Sequence, residues 1–130
     1  MTAHKLLYVF TRAPYSSSAG QEALDAAFIG AAFEQDVSML FLHDGVFQLK
    51  DGQGSGRQGS SWQGSEVSKL KQFTKAFAAL NDFGIEKVYV HDLSLRARGL
   101  DQQALIIDAE LLESDGVREL LRGQFRVFTF

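Results

Sequence analysis

Leu6-Leu7-Tyr8-Val9-Phe10 is an unbroken apolar run rich in strand-forming residues. A strand with one wet face alternates apolar and polar side chains. A continuous run suits a strand buried on both faces, as in a parallel sheet. Val37-Ser38-Met39-Leu40-Phe41-Leu42 reads as a second buried strand, and Lys87-Val88-Tyr89-Val90 and the closing stretch 125–130 read as further strands. Ala104-Leu105-Ile106-Ile107 reads as a further strand.

Helical periodicity fills the gaps. Ser18 and Gln21 have capping-box spacing, which predicts a helix from about Ala19 with Leu24, Ala27, Phe28 and Ala31 on its buried stripe. Val67, Leu70, Phe73, Phe77 and Leu80 recur every three or four residues and predict a long helix over 66–82, with Gly84 in a left-handed cap. Residues 93–98 read as a short helix ended by Gly99. A last helix carries Val117, Leu120 and Leu121, capped by Ser114 or Asp115. Strands alternating with helices imply parallel pairing through right-handed crossovers. The expected fold is α/β: one small domain over 1–130 with a four- or five-stranded, mostly parallel sheet and helices on both faces.

Composition narrows the chemistry. The chain has 130 residues, 45% of them apolar and 22% charged, which suits one globular domain. It has no cysteine, which excludes thiol catalysis, disulfides and cysteine-based metal sites. No cofactor and no metal is expected. Net charge is −3 and the pI is near 5.5, so direct nucleic-acid binding is not expected. Apolar runs of about six residues are far too short for a membrane span. The first residues lead straight into a strand, so no signal peptide is expected and the cytoplasm is the expected compartment.

Residues 50–65 are rich in Gly, Ser and Gln and read as a flexible loop within the domain. Gly54, Gly56 and Gly59 match the dinucleotide fingerprint by letter. No strand leads directly into them, and Ser60-Ser61-Trp62-Gln63-Gly64 lies between them and the next helix, so the match carries no cofactor expectation. Trp62, in the same loop, is either a cover for the sheet end or an anchor for a partner.

Thr11-Arg12, His43-Asp44 and His91-Asp92 each follow a predicted strand. Ligands of parallel sheets bind beyond the carboxyl ends of strands, so these six residues are candidates to converge. They are equally explained as turn and cap residues: Asp44-Gly45 is a turn, and Asp92 is a natural helix N-cap. Arg96 and Arg98 are either anion or partner contacts or a solvated face.

Three stretches carry a family resemblance: Ala13-Pro14 through Ala19-Gly20 to Glu22-Ala23-Leu24-Asp25-Ala26; Asp44-Gly45-Val46-Phe47-Gln48-Leu49; and Ser94-Leu95-Arg96-Ala97-Arg98-Gly99-Leu100-Asp101. In order and spacing the chain resembles the TusC (DsrF-like) branch of the DsrE/DsrF/DsrH sulfur-relay family over nearly its whole length. The 50–65 loop departs from that pattern, being longer and richer in Gly and Ser.

The resemblance implies a non-catalytic subunit that joins TusB-like and TusD-like chains in a heterohexamer. Such a complex takes persulfide sulfur from a TusA-like donor and passes it through a TusE-like acceptor toward 2-thiouridine in tRNA. In DsrE-type complexes the related chains serve sulfur oxidation instead. The carrier cysteine of the family belongs to the TusD/DsrE-like subunit, after the strand matching Val88-Tyr89-Val90. His91 stands there in this chain, and an imidazole cannot hold a persulfide. The resemblance therefore makes this chain a scaffold, with Phe47 and Leu49 expected as exposed interface residues and Asp44, Trp62, His91, Arg96 and Arg98 as candidate pocket or interface residues. Two other readings stay open: a small hydrolase built on the strand-end His/Asp/Arg residues, and a homo-oligomeric module that binds a small anion.

Overall fold

The computed structural model describes residues 3–13, 19–49, 80–101, 105 and 108–130. Strand β1 (Lys5–Phe10) leads into helix α1 (Ala19–Ala32) and then β2 (Asp36–Phe41). A 3-10 helix (His43–Leu49) follows directly. After a second short 3-10 helix (Leu80–Phe83) come β3 (Lys87–His91), α2 (Asp92–Ala97), β4 (Glu110–Leu112), α3 (Ser114–Arg122) and β5 (Arg126–Thr129). The five strands form one sheet in the order β4-β3-β2-β1-β5, and every pairing is parallel. The expected fold class is therefore the observed one, with five strands.

The unbroken apolar runs have the predicted cause. Tyr8, Phe10, Met39 and Phe41 face one side of the sheet, where Ala23, Leu24 and Ala27 of α1 bury them. Leu7, Val9 and Leu40 face the other side, under Val117, Leu120 and Leu121 of α3. Register places Phe10 beside Phe41, and their rings stack with centroids 4.5 Å apart. An offset stack of this kind adds to the area the rings bury.

The 3-10 helix sits tightly on the end of β1. A Cβ built on Gly45 would lie 1.8 Å from the carbonyl oxygen of Phe10, so only glycine fits. The fit lets the Gly45 amide donate to Leu42 O at 2.8 Å and the Leu42 amide to Phe10 O at 3.0 Å. Val46, Gln48 and Leu49 are thereby driven into the interior. Leu49 is fully buried in the core, which corrects its expected place on an exposed interface. Phe47 is half-buried.

Three further expectations change. The fourth strand is Glu110–Leu112, not 104–107; of that stretch only Leu105 lies among the described residues. The N-cap of α2 is His91, and Asp92 is its first helical residue, salt-bridged to Arg96. The N-cap of α3 is Glu113, with no side-chain cap bond; the hydroxyl of Ser114 is engaged elsewhere. Gly84 takes the left-handed conformation expected of it, φ 85°, and Gly99, expected to end its helix, is left-handed as well, φ 69°. Trp62, the loop expected at 50–65 and most of the helix expected over 66–82 lie outside the described residues.

Candidate functional site

Because all five strands run the same way, the residues that follow β1, β2 and β3 emerge at one end of the sheet. The structure joins the second and third of these positions. His43 has a left-handed backbone, φ 52°, which is uncommon for a residue with a Cβ. In that conformation its amide donates to Ser94 Oγ at 2.9 Å. Ser94 is buried in the first turn of α2, and His91 Nδ1 lies 2.7 Å from the same hydroxyl. His91 Nε2 lies 3.0 Å from Ser114 Oγ at the start of α3. A chain of hydrogen bonds thus links the end of β2, α2, the end of β3 and the start of α3.

Proton positions follow from who can accept. Ser94 Oγ already accepts from the His43 amide, and a buried hydroxyl must also place its own proton. His91 Nδ1 is the acceptor recorded within reach of that hydroxyl among the described residues. Ser94 O–H therefore donates to Nδ1, and the hydrogen-bond network assigns neutral His91 as the Nε2–H tautomer. Nε2–H then donates to Ser114 Oγ. Burial pushes the His91 pKa below the ordinary histidine value, the charge of His43 adds to this, and Asp92 opposes it. His91 is accordingly an uncharged donor.

That assignment bears on the hydrolase reading. A general base must offer a lone pair toward the nucleophile. His91 offers Ser114 a proton instead, so the pair is not built as a Ser–His dyad in this arrangement. No group of three or more His, Asp or Glu side chains suited to a metal ion occurs among the described residues.

The arginines are spoken for. Arg98 Nε is 2.9 Å from Asp44 Oδ1 and its guanidinium donates to Ser94 O at 3.1 Å. Arg96 pairs with Asp92 at 2.6 Å. The first of these unites Asp44-Gly45-Val46-Phe47-Gln48-Leu49 with Ser94-Leu95-Arg96-Ala97-Arg98, so the two stretches most specific for the resemblance pack as one unit. Thr11 Oγ1 donates to Phe130 O at 2.7 Å, tying β1 to the end of β5. Gln48 donates through Nε2 to Arg12 O at 2.9 Å, and its buried Oε1 has no hydrogen-bond partner among the described residues. The exposed side chain of Arg12 is not drawn into the His43–Ser94–His91–Ser114 chain.

Ser94 and Ser114 are the residues that sequence reasoning undervalued. Nothing in the sequence sets them apart from ordinary helix-start serines. Their meaning comes from the parallel sheet, which brings positions 43, 91, 94 and 114 together.

The DsrE/DsrF-like family model matches residues 4–130. The chain belongs to the DsrE/DsrF-like family. Among curated relatives, this member is 36% identical to the "Intracellular sulfur oxidation protein DsrF" of Allochromatium vinosum, covering 97% of this chain and 96% of the relative. It is 35% identical to the "Protein TusC homolog" of Pseudomonas aeruginosa, covering 98% of each chain. It is 34% identical to "Protein TusC" of Escherichia coli O9:H4, covering 97% and 98%. Among solved structures, the ychN protein from E. coli superposes with a TM-score of 0.71 at 19% identity, over 98% of this chain and 99% of that one. That likeness speaks for the DsrE/DsrF-like fold alone.

Proposed function

We propose that this DsrE/DsrF-like chain is a non-catalytic subunit of a sulfur-relay complex serving 2-thiouridine synthesis at the tRNA wobble position. The observation that carries this reading is end-to-end similarity to TusC and DsrF proteins in a chain without cysteine. A relay needs thiols to carry persulfide sulfur. This chain contributes none, so the sulfur rides on other polypeptides and this one supplies shape and contact area. Its partners in this reading are TusB-like and TusD-like subunits, with an indirect link to TusA-like and TusE-like carriers. It works in the cytoplasm and does not touch tRNA itself. Among the described residues no helix is long and apolar enough to cross a membrane, which accords with that setting.

The surface supports a subunit role. Ile29 on α1 and Phe33 just past its end are 59% and 74% exposed, and Phe125, Val127 and Phe128 lie exposed on or beside β5. β5 is an edge strand, so one side of its backbone is unpaired among the described residues as well. Apolar side chains beside an unpaired strand edge are costly to leave in water and are usually covered by a partner.

A second reading has its own observation. The DsrF relative, named for intracellular sulfur oxidation, is as similar as the TusC relatives. The two roles separate in a strain lacking this gene. The tRNA reading predicts loss of wobble 2-thiouridine from hydrolysed tRNA, measured by mass spectrometry. Unchanged 2-thiouridine with impaired oxidation of stored sulfur would overturn it in favour of the second role.

A further inference from the structure

We infer that β5 pairs with β5 of a second copy of this chain, antiparallel about a two-fold axis at Phe128, so that two five-stranded sheets become one. The inference goes beyond the relay reading. It names what covers this edge, and it stands or falls apart from what the chain does.

The two edges of the sheet differ. β4 spans three residues and carries the exposed Glu110. A short strand and a charge are common guards against edge pairing. β5 is held to β1 from Phe125, whose amide donates to Lys5 O at 2.8 Å, to Phe130, whose amide donates to Val9 O at 2.9 Å. The charged side chain of this stretch, Arg126, lies along the Phe125 ring, 4.9 Å from its centroid. Phe125, Val127 and Phe128 are left 51%, 40% and 41% exposed.

The backbone makes this edge complementary to itself. Phe130 turns both its amide and its carbonyl toward β1, since its oxygen also accepts from the Thr11 amide at 2.9 Å. Backbone groups of successive strand residues point to opposite sides, so Thr129 and, two residues back, Val127 turn theirs away from β1. Set antiparallel, Val127 meets the second copy's Thr129 and the two exchange both N–H···O bonds. Symmetry repeats the pair at Thr129. Phe128 then faces its own counterpart in the close, non-bonded position. Both Phe128 rings lie on one face of the joined sheet, each stacked on its own Tyr8 at 5.2 Å. Arg126 comes opposite the second copy's Phe130, so no like charges meet.

The apolar surface continues beyond the strand. The His4 ring stacks on Phe125 at 4.0 Å, the His4 amide donates to Gln35 Oε1, and Gln35 Nε2 donates to Phe33 O. Phe33, 74% exposed, thus stands beside the start of β5. At about 200 Å² for a whole phenylalanine, the exposed parts of Phe33, Phe125, Val127 and Phe128 come to roughly 400 Å² per copy. Two copies offer about 800 Å² before the strand backbone is counted, close to the ~1,000 Å² that a specific contact needs.

The test uses the full-length chain alone. Sedimentation equilibrium across the micromolar range is expected to show a reversible step from 14.4 kDa to twice that mass. Thr129→Pro removes an outward amide and leaves the bonds to β1 in place. It should raise the dimer dissociation constant about thirtyfold, since each dimer loses two backbone hydrogen bonds at roughly fivefold apiece. Leu93→Ser, at an exposed site on α2, should leave it unchanged. Register is read by cross-linking, for which a chain without cysteine gives no background. Phe128→Cys is expected to form an intermolecular disulfide on mild oxidation, its two α-carbons lying about 4.5 Å apart at the axis. Val127→Cys should cross-link far less, because Thr129 is its opposite number. The cross-link needs no change to the edge backbone, so it decides the matter even where Thr129→Pro fails to fold. A monomer at every concentration overturns the inference. So does a dimer that Thr129→Pro leaves intact, one that Leu93→Ser dissolves, or cross-linking at position 127 in place of 128. If the chain assembles with partner subunits and never pairs with itself, the relay reading stands and this contact falls. If it pairs with itself and never assembles with other chains, the contact stands and the relay reading falls.

Discussion

The α-carbon of Gly45 is pressed against the carbonyl of Phe10 so closely that a methyl group there would sit 1.8 Å from the oxygen. The neighbour is backbone and cannot swing aside. Gly45→Ala is expected to lower stability by about 3 kcal/mol, the upper range for overpacking, measured as a fall in the urea midpoint. The same substitution at Gly84 or Gly99 meets no described neighbour, since none of the described residues lies within 4 Å of either added Cβ. There the loss comes from positive φ alone and should be about 1 kcal/mol. Equal losses at all three positions would contradict the packing account.

Leu49 and Phe33 make a contrasting pair. Leu49 is fully buried, so Leu49→Ala should cost about 3 kcal/mol through transfer and cavity terms, whatever the chain's partners. Phe33 is 74% exposed, so Phe33→Ser should change the thermal midpoint of the isolated chain little. If Phe33 faces a partner, the same substitution weakens assembly. Calorimetry of both isolated variants checks the first half, and co-purification yield checks the second.

His91 sets a pH dependence whose sign can be worked out. Its folded pKa lies below its unfolded value of about 6.5. In the interval between the two, the unfolded chain binds more protons, so stability rises with pH. The contribution is intact above the unfolded value. It is lost as pH falls from about 6.5 through the lowered folded value, where the loss levels off. Protonated His91 would also turn an Nδ1–H toward Ser94 and leave the buried Ser94 hydroxyl without its acceptor. His91→Gln should flatten this part of the curve. Denaturant melts in steps from pH 7.5 to 5 check it, and an equally steep variant would contradict it.

Much of the fold was legible because β1 and β2 are buried on both faces. Leu6–Phe10 and Val37–Phe41 read plainly as parallel strands, since no polar residue was needed for a wet face. β4 misled for the opposite reason. Glu110-Leu111-Leu112 is a three-residue strand with an exposed glutamate, and Ala104-Leu105-Ile106-Ile107 nearby is the more strand-like run. Leu49 misled because a short apolar stretch does not announce that Gly45 will let it fold back under the sheet end. At the site, His43, His91 and Arg98 were visible as strand-end and basic residues. The serines that orient them were not, because their role depends on positions 51 and 23 residues apart in the chain meeting in space.

The central claim is that this chain acts by contact within a multi-subunit sulfur relay. Co-expression with the genes beside it, followed by size exclusion with mass determination of every species in the peak, tests that most directly. The account predicts one stable particle containing this chain and two related small chains, with labelled persulfide sulfur found covalently on a partner's cysteine and none on this polypeptide. Elution of this chain alone, or turnover of a sulfur donor by the isolated protein, would contradict it.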